Sequence, residues 1–250
     1  MLHTFEFNNK KLSDIGAVLM ENPHYTPSVK ELDFTSVPGK SGDIITDKNR
    51  FKNSSISYKV SSMPLFCSYT EQEFVYVLSE WLLTSYDYKI LRDTYNPGYF
   101  RKAICTDIAN PTVEANKMVW TTVTFNCDPF LYSNTGLKKN TYNFNGGTQT
   151  ENLFNPEQWD SEPIITVIGE SPITLGIGDD ELYISTSGLV DNTIIIDKSN
   201  ENIYDKNGNS CNNKVNAVRL PYLKPGNNEI RVVNLNGSVT LKIIPNWRRL

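Results

Sequence analysis

For most of its length the chain alternates apolar and polar residues over short runs. A period of two places successive side chains on opposite faces, so this pattern predicts strands with one face buried. Ser55–Val60 alternates in this way, and so do Met118–Cys127 and the segments YDYKILRD and FRKAICTDI. Tyr95, Asn96, Pro97 and Gly98 have the composition of a turn between the last two. At the start, FEFNNKKLSDIGAVLM reads as a hairpin with Asn8 and Asn9 at its bend. A single segment departs from period two. Phe74, Val77, Leu78, Trp81 and Leu82 recur at helical spacing behind Thr70 and Glu73, which form a capping box, so one amphipathic helix is predicted. Pro38, Gly39 and Gly42 interrupt regular structure, and an exposed loop is expected from Val37 to Lys52.

In the second half, PIITVIG, SPITLGI, ELYIST, NTIIID, VNAVRL, NEIRVV and SVTLKII are short strands at the spacing of a sandwich. Turns such as Lys224-Pro225-Gly226-Asn227 and Asn207-Gly208 separate them. The intervening stretch is polar and glycine-bearing, with the short alternating piece TYNFN. The expected organisation is therefore two domains, 1–132 and 133–250, with a linker over about 133–155. The fold class is mainly β: a β domain with one α-helix, then an antiparallel β-sandwich.

Composition narrows the function classes. With 250 residues, 39% of them hydrophobic and 21% charged, the chain can build sizeable cores. Its net charge of −4 supplies no basic surface for phosphate neutralisation, so nucleic acid is not an expected ligand. The N-terminus lacks the pattern of a signal peptide, and no apolar run reaches membrane-spanning length. Cys67, Cys105, Cys127 and Cys211 are widely spaced without a CxxC pair, which favours buried free thiols over a metal or redox site.

Candidate chemistry is sparse. His3 and His24 are the two histidines, and neither accompanies a nucleophile motif. Asp179, Asp180 and Glu181 are close enough to be weighed as a glycosidase carboxylate set, but LGIGDDELYI reads as a solvated hairpin tip. Asp205, Asn207 and Asn209 begin like a calcium loop, yet Gly208 comes too early and Asn216 stands where the terminal Glu belongs, so a hairpin turn is preferred. Gly176 and Gly178 lack the third glycine of a phosphate-binding loop. No catalytic, metal-binding or cofactor-binding residue is predicted. Trp159, Tyr183, Tyr204, Tyr222 and Trp247 are aromatics on which a sugar could stack, with Trp159 and Tyr204 taken as the platforms to test.

Several segments taken in order resemble one family. FEFNNKKLSDIGAVLM, VPGKSGDIITDKNRFKNSSISYKV, the single helix, RKAICTDI and FNCDPFLY in the first half, then NLFNPEQWDSEPIITVIGESPITLGIGDDELYI, IIIDKSNENIYDKNGNS, LPYLKPGNNEIRVV and IIPNWRRL, are similar to the distal tail proteins (Dit) of siphophages that infect Gram-positive bacteria. The resemblance implies a tail-tube-like N-terminal domain that assembles into a hexameric ring and a galectin-like C-terminal domain. It also implies a non-enzymatic hub at the virion tail tip, synthesised in the bacterial host cytoplasm. Implied partners are further copies of the chain, the tail tube protein, a tail-associated tip protein and a receptor-binding protein. The loop bearing Lys40, Asp43 and Lys48 and the turn at Tyr95–Tyr99 are the expected contact elements. The alternative function is a carbohydrate-binding module for host cell-wall polysaccharide, resting on Trp159 and Tyr204.

Overall fold

The structure, a computed structural model, describes residues 3–63, 69–113 and 118–250. Its contacts divide into two compact units, one running to Leu131 and including Leu250, the other covering Tyr132–Arg249.

The first unit contains β1 (Phe5–Phe7), β2 (Lys10–Lys11), β3 (Ala17–Leu19), β4 (His24–Thr26), β5 (Lys30–Thr35), β6 (Ile44–Phe51), β7 (Ser54–Ser62), α1 (Glu71–Leu82), β8 (Lys89–Asp93), β9 (Tyr99–Ile108) and β10 (Thr112–Val113). It ends within β11 (Val119–Ser133), at Leu131. The main sheet runs β2-β1-β8-β9-β11-β7-β3, with β4 beside β7 and β10 beside β11. Asn8 and Asn9 take positive φ of 50° and 64°, the left-handed pair that a two-residue hairpin needs, and they set Glu6 opposite Lys11. Alternation decides the inner face: Ile56, Tyr58 and Val60 from β7 meet Val119, Val123 and Phe125 from β11 in one core.

The helix covers that core as its stripe predicts. The Thr70 hydroxyl accepts from Glu73 N at 3.3 Å and the Glu73 carboxylate accepts from Thr70 N at 2.8 Å, so two end amides that the helix cannot satisfy internally are capped. Phe74, Leu78, Trp81 and Leu82 are buried. The Trp81 ring stacks on Phe5 at 5.5 Å, and its Nε1 donates to the Phe7 carbonyl at 3.1 Å. Burying each such side chain contributes about 1.5–3 kcal/mol.

Between β4 and β7 the chain departs from expectation. β5 and β6 form a separate two-stranded sheet, so the latter half of the expected Val37–Lys52 loop is strand. Leu32 pairs with Asp47, Phe34 with Ile45 and Thr35 with Ile44. This arm buries almost nothing, and without a buried face the sequence carries no clean alternation to announce a strand.

The second unit contains β12 (Asn140–Asn155), β13 (Ile164–Gly169), β14 (Ile173–Ile177), β15 (Asp180–Ile184), β16 (Thr193–Asp197), β17 (Asn202–Asp205), β18 (Val215–Ala217), β19 (Gly226–Ile244) and β20 (Arg248–Arg249). The sheet order is β17-β16-β13-β19-β14-β15-β18, and β12 pairs with β19. The 19-residue strand β19 organises the unit: Ile230–Asn234 pairs with β14, whereas Val239–Ile244 pairs with β13. A register break between Asn145 and Gly147, with Gly146, Gly147 and Gly237 at positive φ, marks the bend between these halves. Leu175, Leu182, Ile230 and Val232 from one half share a core with Ile165, Val167, Ile196 and Leu241 from the other, which makes the two halves a sandwich.

The expected linker over about 133–155 is corrected by β12, which pairs with β19 from Asn140 opposite Ile243 to Asn155 opposite Gly226. Residues 147–152 are all exposed on β12, which pairs with β19 along one edge. Backbone pairing alone makes this segment regular, and backbone pairing leaves no hydrophobic signature. The whole chain is mainly antiparallel β, with α1 the one α-helix among the described residues.

Candidate functional site

Two surfaces, one on each unit, carry the side chains that sequence reasoning singled out. On the β5–β6 arm, Lys40 and Asp43 lie in the exposed turn where Gly39 and Gly42 have φ of 80° and 85°. Lys48 lies apart from them on β6, within an ion-pair ladder. Its Nζ is 3.1 Å from Asp33 and 3.4 Å from Glu31, Arg50 Nε reaches Glu31 at 2.6 Å, and Lys30 reaches Asp47 at 3.1 Å. The Arg50 hydrogen bond lowers the Glu31 pKa, while Asp33 and Glu31 raise that of Lys48. These exposed pairs are screened by solvent, so the ladder sets the register of the arm more than its stability.

The other feature of the arm was missed. Phe34 is 61% exposed and Ile45, directly opposite it, 60%. With half-buried Leu32 on the same face, they form an apolar strip outside either core. Leu32 and Phe34 alternate within KELDFT, but two positions among charges and glycines are too short a run to announce a strand. The second expected contact element, the Tyr95–Tyr99 turn, is tied down internally. Asp93 Oδ1 accepts from Tyr95 N at 2.9 Å and Asn96 N at 2.8 Å, and the Tyr95 ring stacks on His3 at 4.4 Å.

On the second unit, the two proposed platforms occupy different elements: Trp159 follows β12 and Tyr204 lies on the edge strand β17. Both are half-buried. Trp247 is buried, and Tyr222 is half-buried with Lys198 Nζ 4.2 Å from its ring centre. Of the five aromatics, Tyr183 is the one classed as exposed, at 54%.

Tyr183 stands beside the acidic triplet, and each acid there has a cation. Asp179 meets Lys224 at 2.7 Å, Asp180 meets Arg219 at 2.6 Å, and Glu181 pairs with Arg231. The Tyr183 hydroxyl donates to Glu181 at 2.6 Å. The hydrogen bond from Lys224 lowers the Asp179 pKa; those from Tyr183 and then Arg231 lower that of Glu181. A glycosidase general acid needs the opposite shift. The cations lie 39 to 50 residues away in sequence, so no local motif predicts them.

Asp205 closes a tight turn, accepting from Asn207 N at 2.8 Å and Asn209 N at 2.9 Å, as the hairpin reading expects. Among the described residues no group of three His, Cys, Asp or Glu side chains is placed to hold a metal, and no helix is long and apolar enough to cross a membrane. Cys105, Cys127 and Cys211 are buried free thiols, while Cys67 lies outside the described residues.

The architecture is a β unit with one covering helix and a separate two-stranded arm, followed by a second, all-β unit. The fold matches the crystal structure of the SPP1 Dit protein (gp 19.1), described as a paradigm of the hub adsorption apparatus in phages infecting Gram-positive bacteria. The match has a TM-score of 0.70, 14% sequence identity and coverage of 100% of both chains. By sequence, neither a family model nor a curated protein matches the chain.

Proposed function

We propose that the chain is a structural hub of a bacteriophage tail, assembling into a hexameric ring between the tail tube and the tip that engages the host. The full-length likeness in fold to a phage hub protein supports this reading. The observation that carries the ring is the arm: Phe34 and Ile45 face away from both cores on a two-stranded sheet whose ion pairs hold it extended. Large apolar side chains left exposed on an ordered strand are partners for another protein surface. In a closed ring each copy presents one surface and receives a different one. The arm is the presented surface, lying on the first unit of the next copy, with Lys40 and Asp43 at its tip. Tail tube and tip proteins contact the two faces of that ring, and the work of the protein is mechanical connection, with no turnover.

The test is native mass measurement of the full chain, alone and mixed with its tail tube and tip proteins, against Phe34→Asp and Ile45→Asp variants. Wild type is expected to form a sixfold assembly in at least one mixture, and both variants to remain protomers with unchanged melting temperature. A wild type that never assembles, or variants that assemble as wild type does, would overturn the reading.

A further inference from the structure

The outward face of the sheet β19-β14-β15-β18 has a recess built around Glu181. Arg231, Gly176 and Glu181 stand in one row across three strands, since Gly176 is in register with both. The glycine gives way to the arginine: a Cβ on Gly176 would come within 3.5 Å of Arg231 Cβ and Nε, so the Arg231 side chain lies over it and reaches Glu181. Two depressions flank Glu181. One, of about 410 Å³, is bordered by Asp180, Tyr183, Asn216, Val218 and Arg219; the other, of about 220 Å³, runs over Gly176 to Glu229 and Arg231.

From this geometry we infer that the face is a binding site for a neutral, polyhydroxylated glycan. Tyr183 presents an exposed ring, and the apolar C–H face of a pyranose stacks on such a ring. Beside it, the Glu181 carboxylate uses one lone pair per oxygen, for the Tyr183 hydroxyl and for Arg231, leaving one on each free to accept. Arg231 uses one of its five N–H donors on Glu181. A fixed acceptor next to a fixed donor matches a pair of neighbouring hydroxyls, each of which both donates and accepts. The charges decide between glycan classes. Arg219, Lys224 and Arg231 are each committed to a carboxylate and Glu229 adds a further negative charge, so a polyphosphate chain finds repulsion where a neutral sugar finds hydrogen bonds. The site does not depend on ring formation and is separate from Trp159 and Tyr204.

The experiment uses the full chain on an array of neutral oligosaccharides of glucose, galactose, rhamnose and N-acetylhexosamine, with glycerol- and ribitol-phosphate polymers beside them. Calorimetric titration of the strongest neutral binder follows, against Tyr183→Ala, Tyr183→Phe and Gly176→Val. Wild type is expected to bind a neutral oligosaccharide, Tyr183→Ala to weaken it roughly tenfold and Gly176→Val, which fills the recess, at least as much. Tyr183→Phe, keeping the ring, should lose less. Melting temperatures read separately establish that each variant is folded. Absence of neutral binding, binding confined to the phosphate polymers, or undiminished affinity in folded Tyr183→Ala overturns the assignment.

Discussion

The hydroxyl of Tyr58 donates to Asp93 Oδ2 at 2.7 Å, and the other oxygen of that carboxylate holds the turn after β8 through Tyr95 N and Asn96 N. One side chain thus links a fully buried tyrosine on β7 to a turn on a strand that is not its neighbour in the sheet. Burial, with the Asp93 charge second, drives the Tyr58 pKa well up, so the hydroxyl stays a donor at any working pH. Tyr58→Phe removes this donor while keeping the ring, and should cost about 1–2 kcal/mol in chemical denaturation. Asp93→Ala also frees the turn amides and should cost more.

The cap of α1 makes a second prediction. Thr70→Ala removes the oxygen that accepts from Glu73 N and should lower stability by about 1 kcal/mol at neutral pH. The Glu73 pKa is lowered by bonds from the Thr70 amide and hydroxyl. A carboxyl whose folded pKa lies below its unfolded one contributes stability above the unfolded value and loses it as pH falls through the folded value. Melting temperature should therefore fall on acidification below about pH 4, and less steeply in Glu73→Gln than in wild type.

The thiols provide a third. Burial pushes Cys105 up to about 11 and Cys127 up to about 12, so both are protonated at neutral pH and closed to reagent. Peptide mapping after brief iodoacetamide treatment should find these two unmodified in the native protein and alkylated after denaturation. Labelling of Cys127 in the native state would contradict its placement in the core.

Gly136 is the fourth. A Cβ on this residue would collide with the Trp247 backbone nitrogen, while Asn246 N donates to the Gly136 carbonyl at 2.9 Å. Gly136→Ala must displace backbone and should destabilise by about 1–3 kcal/mol. Gly98→Ala, with open space around its Cβ and a φ of 89°, reads the cost of left-handed backbone alone and serves as the comparison. Thermal unfolding of both variants separates the collision from the strain.

What the sequence determined by itself were the features written in neighbouring residues. The Thr70–Glu73 cap and the stripe from Phe74 to Leu82 specify α1, and Asn8-Asn9 specifies its turn, because caps, periods and left-handed positions act within a few residues. The alternating runs from Ser55 and Met118, and those after Pro163, identified strands of two cores because burial of one face imposes period two. Tertiary structure decided the rest. β12 and the β5–β6 arm are strands by backbone pairing with partners, and pairing without burial leaves no apolar pattern to read. Which of five aromatics stays exposed, and which cations from distant strands reach Asp180 and Glu181, depend on strand order. Local propensity carries no information about that order, since it is set by which apolar faces find one another across the fold.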